Sequence, residues 1–149
     1  MSSLMYCRID LSKTTYSPSN DCVLFDSPPI DDLQKIYKQY CHYKKFDSIM
    51  PLFDSYFNDA TIDIWGYLDT DGKLVAFSVV KKHDQENVES LQFSWNYENP
   101  KLKLGIASLT HECAVYKNLG YKYLYLGEAN SYKSKLDGYE VLGNLHLTT

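Results

Sequence analysis

Leu102-Lys103-Leu104-Gly105-Ile106-Ala107 is the stretch on which the reading of this chain turns. Just before it runs Val88 to Trp95, a β-prone segment closed by Glu98-Asn99-Pro100. Just after it, Leu109, Cys113 and Tyr116 join Ile106 in the three-and-four spacing of a helix face, with Ala107 and Ala114 beside it. Gly120 supplies the stop expected of a C-terminal cap. Tyr121 to Leu126 then reads as a short buried strand. The order strand, glycine-bearing loop, helix, strand requires the two strands to be parallel neighbours, because a helix carries the chain back across the sheet. Small residues at the start of that helix let a ligand approach free backbone N–H groups, and the helix dipole favours an anion there.

Upstream of this unit the period is that of strands. Thr61 to Leu68, Asp69-Thr70-Asp71-Gly72 and Leu74 to Val80 predict a hairpin with a central second strand, and Val88 to Trp95 extends it antiparallel. Asp69, Asp71 and Gly72 fit a turn rather than a calcium loop, since Val80 stands where the bidentate glutamate belongs. Ser27-Pro28-Pro29 opens a helix with Asp31 and Asp32 in its first turn and Ile30, Leu33, Ile36, Tyr37, Tyr40 and Cys41 on one face. Ser48 to Asn58 predicts a second helix, with Pro51 tolerated in its first turn. Residues 5–11 and 22–26 are short β-prone runs. Residues 127–138 are polar and irregular, and Tyr139 to Leu147 closes the chain as a strand. The fold class is α/β in an α+β order, a mixed central sheet flanked by helices in a single domain over residues 1–149.

Composition narrows the function. The 149 residues are 44% hydrophobic and 15% aromatic, enough for one packed core without disulfides or metals. The formal charge of −4 excludes a generally basic nucleic-acid binder. Its distribution is uneven: residues 1–95 hold 9 basic and 14 acidic side chains, and residues 96–149 hold 6 and 5. Anions are therefore expected at the back half. Arg8 is the only arginine, so a site of several guanidinium forks is excluded and anion binding falls to backbone amides and lysines. Cys7, Cys22, Cys41 and Cys113 lack metal spacing and predict free thiols in a reducing cytoplasm; no metal is expected. No apolar run approaches the length of a membrane span, and no membrane partner is expected. His111-Glu112 has the start of a zinc-protease helix, but Val115 stands where the second histidine would be. Cys113 reads as core, His42 and His83 as surface, and the 14 tyrosines as a core with polar rims rather than a stacking platform.

The element order and these residues resemble the GNAT acyltransferase superfamily. In that superfamily a central strand leads into a Q/R-x-x-G-x-G/A loop whose amides hold the pyrophosphate of an acyl-CoA. Here Leu102 takes the Gln/Arg position, and the stretch from Tyr132 to Gly138 is longer than usual. A closer resemblance lies in Phe93-Ser94-Trp95-Asn96-Tyr97-Glu98-Asn99-Pro100, Leu102 to Gly105, Leu119 to Gly127 and Tyr132-Lys133. These are similar in rhythm to the C-terminal, GNAT-type half of the arginyl and leucyl aminoacyl-tRNA–protein transferases, over about residues 91–135. The resemblance implies transfer of an acyl or aminoacyl group from acetyl-CoA, another acyl-CoA or an aminoacyl-tRNA. The acceptor would be an amine on a small molecule or a protein N-terminus, and a homodimer is compatible with the reading. Lys103, Leu104, Gly105, Ile106, Ala107 and Asn130 would bind the donor, with Lys101 or Lys103 screening its charge. Tyr132 would protonate the leaving group, and Glu98 and Glu128 are the candidate bases. A non-catalytic GNAT-like ligand-binding or interaction domain is the alternative. Leu102 and the single arginine favour it, whereas the order Asn130, Tyr132, Gly138-Tyr139 favours the enzyme.

Overall fold

The computed structural model describes residues 5–45, 59–129 and 133–144. The expected helix over residues 48–58 lies outside them.

The middle of the chain folds as the alternating pattern demands. Strand β3 (Ile62–Leu68) turns through residues 69–73 into β4 (Leu74–Lys82). Asp69 makes that turn by accepting hydrogen bonds from the amides of Asp71 and Lys73 on Oδ1, and Gly72 takes the positive φ of 79° the bend requires. β4 is buried from Val75 to Val80, as a strand covered on both faces must be. Asp84 holds the next turn through the amides of Glu86 and Asn87 and leads into β5 (Asn87–Trp95).

Helix α2 (Leu104–Asn118) carries the chain to β6 (Tyr123–Glu128), which pairs parallel with β5. Gly120 at φ 98° ends the helix, its amide donating to the carbonyl of Lys117. The parallel crossover and the antiparallel run of β3, β4 and β5 agree with the sequence reading. The ends of the chain meet beyond β6. Strand β1 (Met5–Asp10) inserts antiparallel between β6 and β7 (Tyr139–Asn144), and β2 (Cys22–Leu24) edges β3. One seven-stranded mixed sheet results, in the order β2-β3-β4-β5-β6-β1-β7.

Two helical faces depart from the periodicity. Helix α1 (Ile30–Lys44) buries Leu33, Ile36 and Cys41, but Ile30 in its first turn is exposed. On α2 Ile106 is exposed, while Leu104, Ser108, Leu109, His111, Glu112, Cys113, Ala114 and Tyr116 are buried. That helix is enclosed on more than one side. The sheet covers one side; on another, Ser19 donates its amide to His111 Nδ1 at 2.9 Å, and Lys117 donates to the carbonyl of Thr14. A helix clamped this way has no single apolar stripe to read.

Candidate functional site

The parallel ladder between β5 and β6 holds three residue pairs, Asn87 with Tyr123, Val88 with Leu124 and Glu89 with Tyr125. Beyond them the strands part. The register of β5 against β4 shifts between Val79 and Val80, so that Val79 faces Gln92 and Val80 faces Ser90 with Leu91 extra. Such a bulge bends a strand and re-aims its side chains. Into the resulting gap comes the first turn of α2. The cleft has a volume of about 210 Å³ and is lined by Ser90 to Phe93 of β5, Gly105, Ser108 and Leu109 of α2, Leu126, Lys133 and Tyr40. That is less than the roughly 300–1,000 Å³ of pockets enclosing a whole ligand, and it suits the reacting end of a larger one.

The N-terminus of α2 is open to this cleft. Ala107 donates the first helical hydrogen bond, to the carbonyl of Lys103 at 3.0 Å. The amides of Leu104, Gly105 and Ile106 precede it and have no acceptor within the helix, and no side chain caps them. Of the amides expected to face an anion, those of Gly105 and Ile106, with that of Leu104, are left without a helical acceptor, whereas the Ala107 amide is consumed inside the helix. A Cβ built on Gly105 would meet no atom within 4 Å, so nothing in the protein requires a glycine there. The space belongs to whatever approaches the amides. Lys103, in the left-handed conformation at φ 50°, and Lys101 flank the turn and are exposed. Unpaired amides and flanking ammonium groups favour an anion at this turn.

The other predicted residues scatter. Glu98 pairs with Lys73 at 3.1 Å, in a separate groove with Asp32 and Asn96, so the structure does not bring it to the cleft. Glu128 ends β6, where its backbone faces Tyr6. Asn130 and Tyr132 lie outside the described residues. Lys133, next to Tyr132 in sequence, lines the cleft and donates to the carbonyl of Leu126 at 2.8 Å.

Three features were not anticipated. Tyr97, at φ 61°, stacks on Tyr43 with ring centroids 3.6 Å apart and lies 4.2 Å from Trp95. Tyr43 is 62% exposed, so these rings form a surface stack rather than a core. Glu112 is fully buried on α2, and neither of its carboxylate oxygens has a hydrogen-bond partner. With no partner to hold the charged form, burial raises its pKa to about 8. His111 beside it is buried against Trp65 and Tyr67, and burial lowers its pKa to about 4. The Ser19 amide occupies Nδ1, and Cys22 Sγ lies 3.1 Å from Nε2. Its thiol is itself pushed up to about 11 by burial and by Asp21, which suits packing rather than nucleophilic attack. The signal for this group was Ser108, His111 and Glu112 at helical spacing amid apolar residues. Among the described residues no three His, Cys, Asp or Glu gather as a metal set, and no helix is long and apolar enough to cross a membrane.

Comparisons with known proteins bear on this geometry. A family model described as arginine-tRNA-protein transferase, C terminus, matches residues 31–142. No curated protein matches the chain. Among solved structures, L-PGS from Bacillus licheniformis superposes with a TM-score of 0.64 at 16% identity, over 85% of this chain and 46% of that one. A GNAT-family protein from Novosphingobium aromaticivorans superposes at 0.64 and 14% identity, over 97% and 66%. N-myristoyltransferase from Saccharomyces cerevisiae, solved with bound myristoyl-CoA, gives 0.57 and 11%, over 84% and 42%. The sheet with its splayed strands is thus a GNAT-like fold. The chain spans less than half the length of two of these three.

Proposed function

The chain belongs to the family described as the C terminus of arginine-tRNA-protein transferases, and on that premise we propose that it transfers an aminoacyl group from aminoacyl-tRNA to the amine of a protein N-terminus. The observation that carries the reading is the cleft where β5 and β6 part beside the uncapped first turn of α2, whose Gly105 lines it. An amine nitrogen attacks the ester carbonyl carbon; the C–N bond forms, the C–O bond to the ribose breaks, and the leaving oxygen takes a proton. Protein groups have four tasks in this. The amides of Leu104, Gly105 and Ile106, with Lys101 and Lys103 outside them, hold a donor phosphate. Lys133 adds positive charge to the cleft wall. Tyr132 protonates the leaving oxygen, as its place between β6 and Gly138-Tyr139 suggests, and Asn130 assists in holding the donor. Glu128 is the base candidate left from the sequence, because Glu98 is engaged by Lys73.

Acyl-CoA is the second donor reading, supported by the myristoyl-CoA bound in one structural neighbour. Free thiols at all four cysteines support a cytoplasmic setting. The test is transfer of labelled arginine from arginyl-tRNA to a peptide with a free N-terminus. Parallel thermal melts with acetyl-CoA and with CoA test the second reading. A ligand at about 100 times its Kd should stabilise by about 2.7 kcal/mol. Neither transfer nor a shift with any donor would leave a ligand-free interaction domain.

A further inference from the structure

The cleft passes through the sheet, and the register of β5 shows how. Cross-strand partners share a face, so Phe93 lies with Ser78 and Ser90 with Val80, while Gln92 lies with Val79 and Ser94 with Phe77. The first face is that of α2, where Phe93 and Val80 pack into the core that holds Leu104 and Leu109. The second is that of α1, where Phe77 and Val79 pack with Leu33 and Ile36. Leu91, the extra residue of the bulge, joins the α1 side. Ser90 to Phe93 all line the cleft, so it is open to both faces.

On the α1 face the cleft continues into a space of about 300 Å³ lined by Tyr37, Tyr40, Leu91, Gln92 and Phe93. Among the described residues no charged side chain lines this space. Gln92 is the amide at the junction, since it belongs to both walls. Its Nε2 donates to Ser94 Oγ at 3.0 Å, and Ser94 is fully buried, so the side chain is held in one orientation. Its Oε1 has no hydrogen-bond partner among the described residues.

We propose that the space on the α1 face is the subsite for the acceptor's first residue, an apolar uncharged one, and that Gln92 Oε1 orients its amine. The inference rests on the amine-acylation reading above and gives that reading its acceptor class. Donor and acceptor then meet from opposite faces of the sheet, the donor at the first turn of α2 and the acceptor from α1. A neutral primary amine has two N–H bonds and a lone pair. One N–H donated to Gln92 Oε1 leaves the lone pair for the carbonyl carbon, and proton removal falls to another group. The first side chain, on the carbon next to the amine, enters the space beside Tyr37 and Tyr40. Leu, Met or Phe gains there by leaving water, whereas a carboxylate or ammonium loses its hydration with no counter-charge in the lining.

The test uses otherwise identical peptides beginning with Phe, Leu, Asp or Lys, in transfer from arginyl-tRNA and in calorimetric binding to the full chain. Phe and Leu should exceed Asp and Lys by about tenfold or more in kcat/KM and in affinity. Gln92→Ala should raise the acceptor KM on the order of tenfold. Gln92→Glu sets a carboxylate beside the amine and favours its ammonium form, so the rise of kcat/KM with pH should move upward by about one unit or more. Tyr37→Arg should turn the preference toward the Asp peptide. The pH shift needs only Gln92→Glu, so it decides the amine contact even where Tyr37→Arg does not fold. Transfer that prefers the Asp peptide, or a pH profile unmoved in Gln92→Glu, overturns the subsite and leaves the proposed activity standing. Phe-peptide binding that weakens in Gln92→Ala, without transfer, supports the subsite and counts against the activity. Neither binding nor transfer overturns both.

Discussion

Removing one oxygen from Tyr132 is the sharpest change available at the scale of a residue. Tyr132→Phe keeps the ring and deletes the hydroxyl proposed above as the proton donor, so transfer should fall by about 10²–10⁴-fold with the melting temperature nearly kept. Equal activity with a lower melting temperature would assign the hydroxyl to packing. Glu112 and His111 make a second, pH-dependent prediction. The folded-state pKa of Glu112 is raised from 4.5 to about 8, so stability is fully present below about pH 4.5 and falls as pH rises through 8. His111 is lowered from 6.5 to about 4, so its share is present above 6.5 and lost as pH falls toward 4. Denaturant melts should show Glu112→Gln close to the parent at low pH and more stable than it near pH 9, by several kcal/mol at about 1.4 kcal/mol per pKa unit. A stability gap that does not grow with pH would mean Glu112 stays ionised in its pocket.

Helix α2 is the element on which the proposed donor site rests, and its first turn can be tested apart from the rest. Gly105 has open space where a Cβ would go and sits inside a helix, where glycine is worse than alanine by about 1 kcal/mol. Gly105→Ala should therefore raise stability slightly, and Gly105→Val should fold. Both should weaken donor binding, the valine more, because the added methyls fill the approach to the amides. Calorimetry with the donor checks this; unchanged affinity in Gly105→Val would reduce the loop to a turn. The exposed lysines at 101 and 103 add a second signature, a donor affinity that drops with salt as screening shortens the reach of charge.

Across the whole molecule, α2 is tied to the far strand β3 by a buried chain of hydrogen bonds. Trp65 Nε1 donates to Tyr116 Oη at 2.9 Å, and Tyr116 donates to Asp63 Oδ2 at 2.7 Å. Lys82 balances Asp63 at 3.0 Å. Tyr116→Phe would leave the indole N–H unpaired in the interior, at a cost of about 1–3 kcal/mol. A chain of this size should then melt several degrees lower. Donor affinity should hold, because the cleft lies elsewhere on the helix; a loss of affinity would show that the β3 tie also sets the cleft.

Local patterns determined much of this protein from the chain alone. Alternation in residues 62–95, turn chemistry at Asp69 and Gly72, the helix after Gly105 and the cap at Gly120 are each encoded within a few neighbours, and helix-mediated crossover geometry then forces β6 parallel to β5. The amides at Gly105 and Ile106 were legible for the same reason, since a helix start exposes them whatever it packs against. Only the tertiary structure decided the rest. β1 finds β6 and β7 across more than a hundred residues, and no periodicity within residues 5–10 says where that strand goes. Glu98 looked available until the turn brought Lys73 to it. His111-Glu112 read in the sequence only as the start of an incomplete zinc-protease helix, and the burial of Glu112 was not foreseen, because helical spacing cannot reveal that a helix is covered on a second side. Burial is a property of what folds over a residue, and for Glu112 that covering turns an ordinary carboxyl into one that keeps its proton at neutral pH.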